Sequence, residues 1–159
     1  MTFIDKEPVK RVEKIIKEFD ENLSVSVLKT SARTALEAAS SLNCDVGAIV
    51  KSLLFKTDNK FCLFLIAGDK KASLKKIKKN IKFSDVSMAS ADEVKSITGY
   101  TIGGVSPVGH INDVDIYIDN SLERFNFLFA AAGHPNCIFK ISFLNLKKIT
   151  KGVIKDIIE

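Results

Sequence analysis

The chain has 159 residues and a mass of 17.5 kDa, which suits one domain with a sizeable core. No apolar run approaches the ~20 residues of a membrane-spanning helix, and the opening MTFIDKEPVK lacks the basic-then-apolar pattern of a secretory leader. Three scattered cysteines (Cys44, Cys62, Cys137) and two distant histidines show no metal-ligand spacing, which argues for small core cysteines in a reducing cytoplasm, while the net charge of +5 leaves an anionic partner open.

Along the chain, Val9, Val12, Ile15, Ile16 and Phe19 recur at helical spacing behind Pro8, so the pattern predicts a helix over Glu7–Phe19. Residues 24–29 alternate as a half-buried strand does. Thr34-Ala35-Leu36-Glu37 is a capping box that opens a short helix ending near Leu42. Residues 46–57 and Lys60–Ala67 read as apolar strands joined by a hairpin turn at Asp58-Asn59. Residues 69–82 carry seven lysines against one acid, and Leu74, Ile77 and Ile81 mark them as an amphipathic helix. Ser90-Ala91-Asp92-Glu93 repeats the capping-box signature and opens a helix ending near Gly99. Beyond a glycine-rich loop come a strand over 114–119, a helical turn over 121–124 and strands over 126–132 and 137–143. A terminal helix is predicted over 144–149. No repeat or linker divides the chain, and this mixture predicts a single α+β domain spanning residues 1–159.

Two segments carry the chemistry. In Thr101-Ile102-Gly103-Gly104-Val105-Ser106-Pro107-Val108-Gly109-His110, glycines that open unusual backbone angles sit beside a proline that fixes its own. Such a loop is either a tight turn between strands or a set of exposed amides shaped for an anionic oxygen. In Gly47–Lys56, Lys51 interrupts a run of Ile49, Val50, Leu53 and Leu54. An isolated lysine there either snorkels past a sheet rim or lines a pocket where its ammonium meets an anion. The lysine-rich helix likewise reads as a solvated face or as a salt-sensitive contact to nucleic-acid phosphates; without interleaved aromatics it does not stack on bases. Ser106 beside His110 lacks the strand–nucleophile–helix setting of a serine hydrolase. His110 reads as a general base or, more readily, as a structural or peripheral residue, His134 as a surface turn residue, and Asp119 either as a participant in the chemistry or as a cap for the turn at Ser121.

In order along the chain, Thr34–Ala39, Gly47–Leu53, Leu65–Asp69, Gly103–His110, Asp119 with Leu122, and Ala132-Gly133 resemble the YbaK-type and prolyl-tRNA synthetase editing-domain family of aminoacyl-tRNA deacylases, over about residues 30–150. The resemblance implies a compact mixed β-barrel-like sheet with peripheral helices. It implies that Lys51 binds near the 3′-terminal adenosine of a tRNA and is needed for activity. It also implies that the G-x-x-x-P stretch from Gly103 to Pro107 supplies main-chain contacts to the aminoacyl ester, that Gly133 is the family's late glycine, and that Ser52 helps line the side-chain pocket. On this reading Lys51, Gly103, Gly104 and Ser106 are the candidate catalytic residues, with Ser52, Pro107, His110 and Gly133 binding substrate; amides of the loop stabilise the oxyanion, and a ribose hydroxyl assists the attack in place of a protein base. No metal or cofactor is expected. The expected function is trans-editing in the cytoplasm by a free-standing deacylase acting on the 3′ end of a mischarged aminoacyl-tRNA, of the alanine, cysteine, serine or threonine class and most readily tRNA-Pro. A synthetase is a possible further partner. The rivals are a non-catalytic aminoacyl- or nucleotide-binding module of the same fold and a hydrolase of small esters or amides.

Overall fold

The computed structural model describes residues 2–159. Its elements in chain order are α1 (Glu7–Phe19), β1 (Val25–Val27), α2 (Ala35–Leu42), β2 (Val50–Thr57), β3 (Lys60–Ala67), α3 (Leu74–Ile81), β4 (Val86–Met88), α4 (Ala91–Thr98), β5 (Asp115–Asp119), β6 (Phe127–Ala131), β7 (Cys137–Ser142), α5 (Phe143–Thr150) and β8 (Val153–Lys155), with short 3-10 turns at Phe3–Asp5, Val46–Ala48 and Asn120–Arg124. No helix among the described residues is long and apolar enough to cross a membrane.

Both capping boxes form. Thr34 and Glu37 exchange hydrogen bonds at the start of α2, as Ser90 and Glu93 do at the start of α4. The β2–β3 hairpin turns through Asp58-Asn59, with Thr57 paired to Lys60. The strands assemble into a five-stranded sheet of order β4-β2-β3-β5-β8 and a three-stranded sheet of order β1-β7-β6. The long apolar run of β3 is explained by its central place. Leu63, Leu65 and Ala67 face a core completed by Val9, Val12 and Ile16 of α1, while Cys62, Phe64 and Ile66 face a second core with Ile77 of α3.

The α+β class stands, but the barrel does not close. A single parallel bridge, Ile49 to Phe129, links the two sheets. On the same side of β2, β4 pairs only with Phe55–Thr57. Between these contacts β2 has a strand partner on one edge alone, and the sheets splay apart there. The segment 46–49 departs from the expected strand because Val46–Ala48 takes a 3-10 turn first. The helix over 144–149 is α5, but it does not end the structure: β8 follows and adds in parallel to β5. The lysine-rich helix is confined to Leu74–Ile81, capped by the Ser73 hydroxyl; Ile77 is buried, whereas Leu74 stays largely exposed.

Candidate active site

The splayed edge of β2 opens a cleft of about 540 Å³, within the size range of small-molecule sites. Its floor is β2 itself and its walls come from the start of α2, from β6, and from the loop after α4. Lys51 and Ser52 point to opposite faces of β2, yet both border the cleft because it runs along the strand's unpaired edge. The Leu54 carbonyl, which accepts from Ala89 N at 3.1 Å, lies on that edge. By strand alternation the Ser52 N–H and C=O face the same way. The Ser52 hydroxyl oxygen is buried without a hydrogen-bond partner among the described residues.

Lys51 is half-buried and its ammonium donates to the Lys70 carbonyl. Burial pulls it below the ordinary lysine range, Asp69 opposes that shift, and Lys71 adds to it. Asp69 is itself held by Arg124 at 2.8 Å, which fixes the turn after β3 that presents the Lys70 carbonyl. Arg33 is the second cation on the cleft, and no Asp or Glu occurs among the described lining residues.

Gly103 has a φ of 94° and borders the cleft, as does Val105. Their amides find no acceptor among the described residues, and neither does that of Ser106, although Val105 and Ser106 are buried. The Gly104 amide, by contrast, donates to the Thr101 carbonyl at 3.0 Å. Gly104 lies against the main chain of Gly133 and His134: a Cβ there would meet His134 N and Cα at 2.9 Å. The two glycine motifs therefore meet across the cleft wall.

The profile of the aminoacyl-tRNA editing domain family matches residues 29–149. The chain belongs to that family. Among its relatives is a proline–tRNA ligase of Macrococcus caseolyticus, 36% identical over 120 residues, which are 76% of this chain and 21% of the ligase. An uncharacterized Bacillus subtilis protein, YwhH, is 34% identical over 83% of this chain and 87% of its own length. A crystal structure of a candidate trans-editing enzyme for prolyl tRNA synthetase superposes with a TM-score of 0.90 at 33% identity, covering 97% of this chain and 98% of that one. The chain thus spans about a fifth of the ligase it matches and nearly all of the two smaller proteins.

Within this editing domain the structure gathers only part of the expected residue set onto one cleft. Lys51, Ser52 and Gly103 border it; Gly104, Ser106, Pro107, His110 and Gly133 do not. Pro107 and His110 border a separate recess of about 230 Å³. Gly133, with a φ of 92°, packs against the main chain of Pro8 and Val9. Ser106 is fully buried, and its carbonyl receives the His110 Nε2 proton at 2.7 Å. Asp119 is buried; its carboxylate accepts from Ser121 and from Ile157 N at 2.9 Å, a cap as expected. His134 does sit in a turn, its Nδ1 accepting from Asn136 N at 3.0 Å, but it is half-buried against Phe3 and borders the cleft rather than standing on open surface. Arg33 and the β6 wall carried no motif beyond the capping box that Arg33 precedes, and Ile102 carried only its place in the glycine-rich loop.

Burial holds the His110 imidazole below its ordinary value of 6.5, with its bond to Ser106 opposing and Arg11 reinforcing the shift. The fold therefore prefers the neutral ring. The associated stability is complete above the unfolded value and declines as pH falls below it. A His110→Gln variant keeps a donor for the Ser106 carbonyl without the titration. Its melting temperature is expected to fall less than that of the parent between about pH 7 and 5, measured by thermal denaturation in matched buffers. Parallel pH profiles would contradict this role.

Proposed function

We propose that this editing domain acts in trans, in the cytoplasm, on a tRNA mischarged with a small amino acid, with alanine, cysteine, serine and threonine as the candidate residues and tRNA-Pro as the carrier. The observation that carries the reading is the half-buried ammonium of Lys51 on a cleft with no carboxylate among its described lining residues. Such a cleft attracts an anionic nucleic-acid end and leaves no acid to repel it. The near-complete coverage of a candidate trans-editing enzyme supports action apart from a synthetase chain, with the synthetase as a docking partner.

In this reading Lys51 holds the terminal ribose so that the ester carbonyl lies against the Gly103–Ser106 loop. The partnerless amides of Gly103 and Val105 receive the oxygen on which charge develops, an effect worth about 3 kcal/mol per donor. Gly104 and Ser106 shape that loop, and Pro107 and His110 brace it from behind. Water attacks with help from a ribose hydroxyl. The free main-chain edge of Ser52 orients the aminoacyl group, and its unpartnered hydroxyl faces the side chain.

Position 52 then sets selectivity. Ser52→Val adds apolar bulk to the pocket, and one methylene distinguishes substrates by about 10–200-fold. Release of amino acid should therefore be measured from tRNAs charged with alanine, cysteine, serine and threonine, using parent and variant. The expected outcome is that Ser52→Val loses the larger substrates by at least about tenfold relative to the smallest one. Equal losses across the panel would remove Ser52 from the side-chain pocket.

A further inference from the structure

We propose that Arg33 is a positioning residue that takes the phosphate on the 5′ side of the terminal nucleoside at the mouth of the cleft. The inference rests on the deacylase reading and adds a residue and a substrate group to it. Arg33 directly precedes Thr34, the N-cap of α2, and borders the same cleft as Lys51. Its side chain lies beside the catalytic loop: a Cβ built on Gly103 would meet Arg33 Cγ at 3.5 Å and Pro135 Cγ at 3.4 Å. Unlike Arg11 and Arg124, which bind Glu7 and Asp69, Arg33 has no hydrogen bond or ion pair among the described residues. Arg33 is exposed and thus free on a cleft whose described lining residues include no Asp or Glu, and its fork of donors matches a phosphate.

The two cations divide the work by depth. Lys51 is half-buried and tethered to the Lys70 carbonyl, which suits a neutral ribose or an ester. Arg33 stands at the solvent end, which suits a group that keeps its charge and part of its hydration. The rim beside it is apolar: Leu36, Met88 and Ile102 are 68%, 62% and 62% exposed, and all three border the cleft. A cation next to exposed aliphatic side chains is the complement of a nucleotide, with its phosphate next to its base. A free aminoacyl ester has neither group.

The test is a titration of the parent, Arg33→Ala and Arg33→Lys with AMP and with adenosine at low salt, followed by chemical-shift perturbation. The parent is expected to bind AMP at least about tenfold more tightly than adenosine. Arg33→Ala should bring AMP down to the adenosine affinity while leaving adenosine unchanged, and Arg33→Lys should restore part of the difference. Equal binding of AMP and adenosine by the parent, no binding of either, or an equal loss of both in Arg33→Ala would overturn the proposal. Hydrolysis of charged tRNA by the same parent preparation reports separately on the deacylase reading. Phosphate discrimination without hydrolysis would sink that reading and leave Arg33 as the phosphate residue of a nucleotide site.

Discussion

Lys51→Ala is expected to lower amino-acid release from charged tRNA by at least about 100-fold, since losing the group that positions a reacting ester costs on that order. The variant should nevertheless stay folded. Burial already disfavours the Lys51 ammonium, so the charged form opposes folding at neutral pH rather than supporting it. The opposing cost of deletion is one unpaired Lys70 carbonyl. Lys51→Met, which keeps the stem and drops the charge, should therefore melt within a few degrees of the parent, where about 2–4 °C corresponds to 1 kcal/mol for a domain of this size. Thermal denaturation and single-turnover release on the same preparations check both halves. A large drop in melting temperature together with the activity loss would recast Lys51 as a structural residue; near-parent activity would remove it from the site.

Gly104→Ala should damage fold and activity together. The added methyl would press on His134 N and Cα at 2.9 Å and on Gly133 carbonyl carbon at 3.0 Å, all main-chain atoms that cannot swing aside. Overpacking of this kind costs about 1–3 kcal/mol, or roughly 2–12 °C in melting temperature, and it pushes the loop away from the cleft. Gly103→Ala is the informative partner. There the Cβ has ordinary clearance, 3.4 Å to Pro135 and 3.5 Å to Arg33, and the penalty comes from the φ of 94°, about 1–2 kcal/mol. Gly104→Ala should thus lose more activity than Gly103→Ala, although Gly103 alone of the pair borders the cleft. The reverse order would mean that the loop tolerates displacement and that the local angle at Gly103 governs the chemistry.

The two glycines show how far the sequence is legible. A paired glycine beside a proline marks a shaped loop, but nothing local says that Gly104 serves a crossing with residues 133–134 while Gly103 serves a positive φ. That distinction comes from tertiary contact. The place of Lys51 on the cleft was legible because a charge inside an apolar run conflicts with burial, whereas Ser52 came from the family resemblance. Helices with capping boxes and the β2–β3 hairpin were legible because their signals are local. The three-residue strands β4 and β8 were not legible, although β1, equally short, was, because its alternation continues through residues 24–29. Nor was the open edge of β2. It arises because β4 and the Ile49–Phe129 bridge occupy opposite ends of one strand side, a matter of topology. Ser106 and His110 are near in sequence but lack the setting of a serine hydrolase, and in the fold it is the Ser106 carbonyl, not its hydroxyl, that bonds to the His110 ring. Arg33 carries no pattern at all, and its place on the cleft follows from where α2 begins.

The central claim is ester hydrolysis on a mischarged tRNA, and its most direct test is single-turnover release of alanine from alanyl-tRNA-Pro with the parent protein in excess, beside prolyl-tRNA-Pro and a protein-free control. Release of alanine is expected at least about 100-fold above the control, as positioning together with oxyanion stabilisation requires, with the prolyl ester spared. Rates equal to the control for alanine, cysteine, serine and threonine alike would contradict it.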